Sequence, residues 1–301
     1  MPATLRIATF NAENLFARYR FKDALAPRED DGFTINDLAF KIHDEESKKI
    51  TAKAIRAVNA DVICLQEVES LPVLDRFNSY YMGGMKYAHR AVIDCFDPRQ
   101  IDVAVLSRYP IVSLRSHRDE RNKKGTAFLF SRDCLEIELD VGGKMLTLYA
   151  NHLKSMMEGR EATRARRQEQ AERVAAIVDA RWKKSGYKGN FVVLGDLNDY
   201  PEGKTGLGAL LDHKGLVNVL TRLPAKEQWT HYYAGGNEYH QLDYLLLSKG
   251  LAQANAGTPV VMRRGLPWRA QQVMDERLDG VGENEPKASD HAPLYMDITL
   301  V

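Results

Sequence analysis

The chain has 301 residues, of which 44% are hydrophobic and 28% charged, and its formal net charge at pH 7 is +1. This is the composition of an ordinary globular protein, and the balanced charge excludes a general electrostatic attraction to nucleic acid or membranes. The three cysteines, Cys64, Cys95 and Cys134, lie far apart without CxxC spacing, which indicates free thiols in a reducing compartment. No signal peptide and no apolar run of membrane-spanning length are visible, so we expect a cytoplasmic protein.

The first predicted strand, residues 4–10, alternates toward apolar residues and ends at the polar side chain of Asn11. Residues 17–46 then mix glycine, proline and many charges, and we expect them to form a long surface loop near the exit of that strand. A helix is predicted over residues 48–59, with Ser47 as its N-cap.

The next strand of buried type, residues 61–66, has Glu67 at its end. The segment VGGK at residues 141–144 predicts a hairpin turn. Amphipathic spacing indicates a long helix over residues 160–183, and a short helix is expected near residues 206–213. Further strands are predicted at residues 101–106, 126–130, 134–140, 145–150, 191–194, 242–247 and 293–301.

The order of these elements predicts an α/β protein. Hairpin strands are mixed with strand–helix units, which favours mixed sheets covered by helices. The length permits two sheets packed face to face with helices outside. No linker or internal repeat divides the chain, so we expect a single domain over residues 1–301.

The segment FVVLGDLNDYP, residues 191–201, carries a distinctive group of polar residues. Its apolar run ends at Gly195, which lets the backbone bend, and Asp196 and Asn198 then point the same way. A carboxylate and an amide at the mouth of a buried strand suit metal-assisted phosphate chemistry, because hard cations take oxygen ligands. The segment alone is equally compatible with a turn in which Asn198 and Asp199 cap the next element.

Similar polar residues stand at the ends or beginnings of most predicted strands. Packing does not readily explain so many, because a buried acid or amide costs roughly several kcal/mol unless it is paired. These residues are Asn11, Glu13, Glu67, Asn151, His152, Asp196, Asn198, Asp243, Asp290 and His291.

The motifs that contain these residues resemble those of the endonuclease/exonuclease/phosphatase superfamily, in its deoxyribonuclease I-like, bacterial-nuclease form. In family order they are TFNAENL, LQEV, IDVAVLSRYP, YANHLKS, GDLND, QLDYLLLS and SDHAP, extending from Thr9 to Pro293. The resemblance implies a four-layer αββα sandwich of two mixed, mainly antiparallel sheets, with the site at one edge of both. It also implies hydrolysis of phosphate esters with a divalent cation, Mg²⁺ or Mn²⁺.

Carried over residue by residue, the resemblance makes Glu67 the main metal carboxylate, with Asn11 and Asp290 as further metal positions. Asp196 and Asn198 would orient the attacking water and the scissile phosphate.

The SDHAP motif would supply a second histidine. Asp290 would fix the imidazole of His291, which contacts the phosphate or helps to activate water. Asp243 would complete the polar floor of the site, and Glu13 is interpreted as structural.

His152 in YANHLKS resembles pancreatic-type deoxyribonuclease, sphingomyelinases and bacterial nucleases more than abasic-site endonucleases. A histidine there could protonate a leaving oxygen near neutral pH, and Asp102 is the candidate that would orient it. The stretch FSRDCLEIEL resembles the deoxyribonuclease segment whose arginine contacts the nucleic-acid backbone, which suggests Arg132. Lys154 is a further candidate phosphate contact; Asp102, Arg132 and Lys154 could equally be ordinary solvated charges.

Together these features predict a metal-dependent phosphodiesterase that uses in-line attack of water, with DNA as the first choice of substrate. Basic segments at residues 115–124 and 160–184, which include Arg164 and Arg167, could follow a nucleic-acid backbone, although solvated helix faces explain most such runs. The alternative is a lipid or small-molecule phosphodiesterase or phosphatase on the same site. A catalytically inactive binding module is a more remote alternative.

Overall fold

The computed structural model describes residues 4–17 and 42–301. They form two six-stranded sheets packed face to face and a separate two-stranded ribbon, with helices on the outer sides of the sheets. The expected α/β sandwich is therefore confirmed. Most of the loop expected over residues 17–46 falls on residues 18–41, which lie outside the described residues. The three cysteines are free, as predicted.

The strands and helices have the following bounds. The strands are β1 (Thr4–Leu15), β2 (Val62–Val68), β3 (His89–Val92), β4 (Asp102–Ser107), β5 (Ile111–Arg115), β6 (Cys134–Val141), β7 (Lys144–His152), β8 (Phe191–Asp196), β9 (Leu216–Asn218), β10 (His231–Tyr233), β11 (Glu238–His240), β12 (Asp243–Ser248), β13 (Val260–Val261) and β14 (Leu294–Thr299). The helices are α1 (Glu45–Val58), α2 (Leu71–Tyr81), α3 (Arg160–Trp182), α4 (Gly208–Leu211) and α5 (Lys249–Ala254), with 3₁₀ turns at Lys183–Ser185, Val219–Arg222, Ala225–Glu227 and Arg263–Gly265. Across the described ranges, no helix has the length and apolar character needed to cross a membrane.

The strand order explains how polar residues can gather at one edge. The first sheet has the order β13-β14-β1-β2-β4-β3 and the second β5-β6-β7-β8-β12-β9. Each contains one parallel pair, β1 with β2 and β7 with β8, and the other neighbouring strands are antiparallel. Parallel strands end at the same edge of a sheet and an antiparallel neighbour begins there, so the ends of β1 and β2 meet the start of β14. The ends of β7 and β8 meet the start of β12 in the same way.

Three apolar clusters fill the three interfaces between the four layers. One lies between the sheets, a second packs α1 and α2 on the first sheet, and a third packs α3 and α4 on the second. β2 shows how one strand serves two interfaces. Val62 and Cys64 face the other sheet, whereas Ile63 and Leu65 face the helices, because successive side chains of a strand point to opposite faces. The continuous apolar run of β2 follows from burial on both sides.

One predicted strand is absent. Residues 126–130 make only an isolated bridge between Phe128 and Arg121. Leu129 and Phe130 are nevertheless buried, in the cluster that packs α3 on the second sheet. An apolar run was therefore correctly interpreted as buried and wrongly interpreted as a strand.

The start of α1 and the shortest elements also differ from the predictions. α1 begins before Ser47, whose hydroxyl contacts Glu285 Oε2 at 3.3 Å and does not cap the helix. β3, β5, β9, β10, β11 and β13 have no predicted counterpart. Strands this short give a clear signal only when their residues form a continuous apolar run, as residues 191–194 do. α2 and α5 were also missed, although Ser70 caps α2 by accepting the N–H of Val73 at 3.4 Å.

The basic residues of α3 are largely neutralised within the fold. Arg167 is fully buried, and its Nε lies 3.2 Å from Oδ2 of the equally buried Asp199. Arg164 pairs with Glu161 at 2.8 Å on the surface. The expectation that Arg167 follows a nucleic-acid backbone is therefore wrong, because its guanidinium is inaccessible.

Candidate active site

Both sheets place polar side chains at one common edge. Asn11 and Glu67 lie toward the ends of β1 and β2, and His152 and Asp196 end β7 and β8. A hydrogen bond of 3.1 Å from Asn11 Nδ2 to Asp196 Oδ2 joins the two sheets there. Residues that are far apart in the sequence are thus brought into one group.

Irregular backbone holds the side chains at the ends of β1 and β2. Glu13, Asn14 and Glu67 have φ values of 46°, 62° and 63°, a left-handed conformation that is uncommon for residues with side chains. The turn directs the N–H of Asn14 to Glu67 Oε2 at 3.1 Å. The N–H of Glu13 donates to Asn11 Oδ1 at 3.0 Å. The buried Lys48 donates to two carbonyl oxygens of this turn and fixes its shape.

Asp196 is buried between the sheets. Its Oδ1 accepts the N–H of Asn198 at 2.9 Å, and its Oδ2 accepts the side-chain amide of Asn198 at 3.1 Å. Burial raises the pKa of Asp196 to about 7, and the negative charge of Asp243 adds to the shift. This carboxyl can therefore gain or lose a proton near neutral pH.

Gly195 allows β8 to approach β7 closely just before Asp196. Its φ is +130°, and a Cβ at this position would lie 2.0 Å from the carbonyl oxygen of Asn151. Both the conformation and the close approach require glycine.

His291 is held by Asp243. Its Nδ1 is 2.8 Å from Asp243 Oδ2, and its Nε2 is 3.8 Å from Asp196 Oδ2. Burial opposes a charge on this imidazole, but the two carboxylates raise the pKa of His291 well above its usual value. Asp290, which was expected to fix the ring, is 3.9 Å from Nε2. The residue that orients His291 is therefore Asp243.

His231 also belongs to this site, and sequence reasoning left it unassigned. Its Nε2 is 3.6 Å from Asp290 Oδ2, and its ring centroid is 4.6 Å from that of His291. Burial opposes ionisation of Asp290, but contact with His231 and the charge of His291 hold its pKa below the usual value. His231 begins the short strand β10, whose sequence carries no motif that could have identified it.

His152 lies against Arg132. Its Nε2 is 3.3 Å from Arg132 Nη1 and 3.4 Å from Asp196 Oδ2. Arg132 Nη2 donates to the carbonyl oxygen of Leu153 at 2.8 Å, which fixes the guanidinium. Burial, with the positive charge of Arg132, lowers the pKa of His152 well below its usual value. Both effects favour the neutral form of the imidazole in this arrangement.

Asp102 and Lys154 are not brought into the group. Among the described residues, His152 Nδ1 has no hydrogen-bond partner, and the expected Asp102–His152 pair is not formed. Asp102 Oδ1 instead accepts the N–H of Cys95 at 2.9 Å, and burial raises the pKa of Asp102 to about 7. Lys154 Nζ pairs with Glu158 at 2.6 Å.

The sequence model of the Endonuclease/Exonuclease/phosphatase family matches residues 6–297. The chain belongs to this family. Members of the family are phosphoester hydrolases. Among curated proteins, none matches the sequence.

Solved structures share the fold of this family member at low sequence identity. Truncated TDP2 of Caenorhabditis elegans has a TM-score of 0.59 and 16% identity, covering 98% of this chain and 97% of that one. The human Nocturnin catalytic domain with bound sulfate has a TM-score of 0.62 and 17% identity, covering 100% and 96%. TDP2 of D. rerio, complexed with a single-strand DNA product, has a TM-score of 0.61 and 14% identity, covering 99% of each chain.

Enzymes of this family typically use divalent metal ions. Within the described residues, ligand atoms of His231, Asp290 and His291 lie within 4.8 Å of one another, as do those of Asp196, Asp243 and His291, so Asp290 belongs to a group that could hold an ion. Asn11, Glu67 and Asp290 offer oxygen donors, which suit Mg²⁺ or Mn²⁺. Burial raises the pKa of Glu13 to about 7, and the neighbouring carboxylate of Asp290 adds to the shift. The pKa of Asp196 is raised mainly by burial, as described above, and the charge of Asp243 adds to the shift. Glu13 with Asp290 and Asp196 with Asp243 are therefore two pairs of carboxylates that repel each other. A bound cation would relieve that repulsion.

Proposed function

We propose that the protein is a divalent-metal-dependent phosphodiesterase that hydrolyses phosphate esters by in-line attack of water, with DNA as substrate. The supporting observation is the arrangement around Asp196 Oδ2. The Nε2 atoms of His291 and His152 lie 3.8 and 3.4 Å from it, and Asn11 Nδ2 lies at 3.1 Å. A carboxyl with a pKa near neutrality beside two imidazoles suits proton transfer at a phosphate. The single-strand DNA product bound to D. rerio TDP2 supports DNA as the substrate class.

We assign the cation to Glu67, Asn11 and Asp290. When bound, Mg²⁺ or Mn²⁺ polarises a phosphoryl oxygen and neutralises developing charge. The N–H groups of Asn14 and Glu13 hold the Glu67 and Asn11 side chains in place for this role.

Asp196 and His291 act on the side of the attacking water. Asp196 accepts a proton from the water, and Asn198 holds the carboxylate in position through two hydrogen bonds. The protonated His291 contacts a phosphate oxygen and offsets its charge, and Asp243 keeps the imidazole charged and oriented.

His152 and Arg132 act on the side of the leaving oxygen. Arg132 is buried, so the expectation that it contacts the substrate backbone gives way to a positioning role: its guanidinium holds the imidazole of His152. His152 donates the proton that the departing oxygen needs. Without substrate, burial and Arg132 favour the neutral imidazole, but negative charge on a contacting phosphate raises its pKa. Lys154 is a further phosphate contact once it leaves Glu158, and Asp102 supports the loop beside the site through Cys95.

A substrate panel tests the proposal. Supercoiled plasmid, single-stranded DNA, RNA, an abasic duplex, sphingomyelin and inositol phosphates are each incubated with Mg²⁺, with Mn²⁺ and with excess EDTA. We expect hydrolysis of DNA that requires the cation. Glu67→Gln should lose most activity while keeping the circular dichroism spectrum of the wild type, because it removes the main metal carboxylate.

The matched control is Glu161→Gln, which changes an exposed glutamate of α3 and should keep full activity. Full turnover in EDTA would contradict metal dependence. Hydrolysis of sphingomyelin or inositol phosphates but not of nucleic acid would replace DNA with a lipid or small-molecule substrate. No hydrolysis of any substrate would make the chain a binding module.

A further inference from the structure

Two phenylalanine rings form a stack at the surface beside the site. The centroids of Phe96 and Phe128 are 4.0 Å apart and their planes differ by 13°. Phe96 is 41% exposed. The outer face of Phe128 is covered by the guanidinium of Arg121, 3.9 Å from the ring centroid, whereas the Arg118 guanidinium lies farther from Phe96, at 5.7 Å. The accessible ring of the stack is therefore Phe96.

Short contacts connect this stack to the catalytic edge. The N–H of Phe96 donates to the carbonyl oxygen of Ser131 at 3.0 Å. Asp97 follows Phe96, and its Oδ2 is 3.6 Å from Arg132 Nε. Arg132 in turn contacts His152. The stack is thus fixed next to the two residues assigned to the leaving-group side of the phosphate.

Cations without acidic partners lie on the loop that contains Phe128 and on α3. Arg121, Lys124 and Arg166 are exposed, and none forms an ion pair with a carboxylate within the described part of the chain. Arg166 Nη2 lies 3.5 Å from the carbonyl oxygen of Phe128, which places this guanidinium at the rim of the stack. The surface therefore combines an accessible ring with unpaired positive charge.

We propose that Phe96 stacks on an unpaired nucleobase next to the scissile phosphate, so that the preferred substrate is a single-stranded nucleic acid or an unpaired strand end. The proposal rests on the proposed function for the position of the phosphate. A base within a duplex has both faces covered by its neighbours, whereas an unpaired base can stack on an aromatic ring, and stacking tolerates any sequence.

The chemistry of the patch favours a nucleobase over a lipid surface. Asp94, two residues before Phe96, is exposed, and inserting the ring into a bilayer would bury this carboxylate at a high cost. Stacking of a base on the exposed ring leaves Asp94 in water, and Arg121 and Arg166 can contact the phosphates on either side.

Binding measurements test this proposal separately from catalysis. Fluorescence anisotropy in the Glu67→Gln background compares a single-stranded oligonucleotide, the same sequence as a hairpin duplex, and a base-free deoxyribose-phosphate strand of equal length. We expect Phe96→Leu to weaken binding of the single strand about tenfold, because leucine fills the space but cannot stack. Binding of the duplex and of the base-free strand should not change.

Tyr80→Leu is the matched control, since Tyr80 is an exposed ring beneath Arg76 on α2, and it should leave every affinity unchanged. An unchanged affinity of Phe96→Leu for the single strand would overturn the proposal, as would equal weakening for the base-free strand. Loss of binding to anionic vesicles, with no effect on nucleic acid, would replace the base with a lipid. The two proposals can fail separately. If the wild-type protein hydrolyses no phosphodiester but still binds single strands in a way that depends on Phe96, the proposed function is rejected and this inference is kept.

Discussion

At the scale of single residues, the surroundings of each histidine determine which protonation state of its imidazole is favoured. His291 lies between two carboxylates, which raise its pKa and favour the charged form. His152 is buried against Arg132, which lowers its pKa and favours the neutral form. The same side chain can therefore stabilise phosphate charge at one position and transfer a proton at the other.

The role of His152 can be tested with two leaving groups. If it protonates the leaving oxygen, His152→Ala should reduce DNA cleavage by about 10²–10⁴-fold. Hydrolysis of bis(p-nitrophenyl) phosphate should fall far less, because p-nitrophenolate departs without a proton. Steady-state rates on both substrates measure the difference.

Asp102→Asn is the companion variant. Because Asp102 accepts a hydrogen bond from Cys95 and does not contact His152, this variant should not reproduce the dependence on the leaving group. Equal losses of His152→Ala on both substrates would show that His152 stabilises phosphate charge and that another group donates the proton.

Asp243 should matter through His291. Asp243→Asn removes the carboxylate that keeps His291 charged and oriented, and we expect turnover to fall by about 100-fold or more with little change in melting temperature. Asp297→Asn, which changes an exposed acid paired with Arg6, should leave turnover intact. Near-wild-type turnover of Asp243→Asn would exclude the assigned role of His291.

The positions of the main site residues could be predicted, but several of their contacts could not. Asn11, Glu67 and Asp196 stand where a buried strand ends, which an apolar run followed by a polar residue reveals. The hydrogen bond that joins Asn11 to Asp196 crosses between sheets, and the contact of His231 with Asp290 depends on a ribbon of three-residue strands. Such contacts depend on tertiary register, which no local pattern encodes.

At the scale of elements, α3 shows why a basic sequence is not necessarily a basic surface. Arg167 points inward, and together with Arg160 it neutralises the buried Asp199, which also accepts two backbone N–H groups. The pair connects α3 to the loop that follows β8, directly after Asp196 and Asn198, to which we assign catalytic roles.

Breaking the buried ion pair between Arg167 and Asp199 should destabilise the fold. Arg167→Ala removes one of the two guanidinium groups that offset the buried charge of Asp199. We therefore expect it to lower the free energy of unfolding by about 3 kcal/mol. Arg164→Ala, on the same helix but paired on the surface, should cost less than about 1 kcal/mol. Urea denaturation of the two variants provides the comparison, and similar costs would mean that Asp199 is adequately held by its other partners.

The segment at residues 126–130 shows the limit of apolar patterns. A buried segment that pairs with no strand has the same apolar sequence pattern as a buried strand. Whether its backbone forms strand hydrogen bonds depends on which segments lie beside it. Here the backbone makes a single bridge, while Leu129 and Phe130 fill the space beneath α3.

At the scale of the whole molecule, the net charge of +1 and the internal pairing of α3 leave few cations to bind DNA. The salt dependence of DNA binding should therefore be moderate and should depend on Arg121 and Arg166. Changing both to glutamine should reduce the slope of log K against log salt by about 2, one for each lost phosphate contact. Lys184→Gln, beyond the end of α3, is the control. An unchanged slope in the double variant would place the DNA elsewhere.

The layered architecture was predictable mainly through the ordered motifs that resemble a family. Mixed strands and helices alone favoured covered sheets, but they did not fix the strand order. Sheet membership depends on pairings between distant segments, such as β1 with β14, and local sequence patterns do not determine these pairings.

Under the proposed function, the hydrogen bond between Asn11 and Asp196 makes activity sensitive to how the two sheets pack on each other. Val192 lies in the layer between the sheets, and Val192→Ala would leave a small cavity there. The sheets could then shift by a fraction of an ångström. The sandwich would stay folded, but the contact between Asn11 and Asp196 would be disturbed. On heating, turnover should therefore be lost before the circular dichroism signal, and more so in that variant. The useful lifetime of the protein in storage or at elevated temperature would then depend on the fit between the sheets more than on resistance to global unfolding.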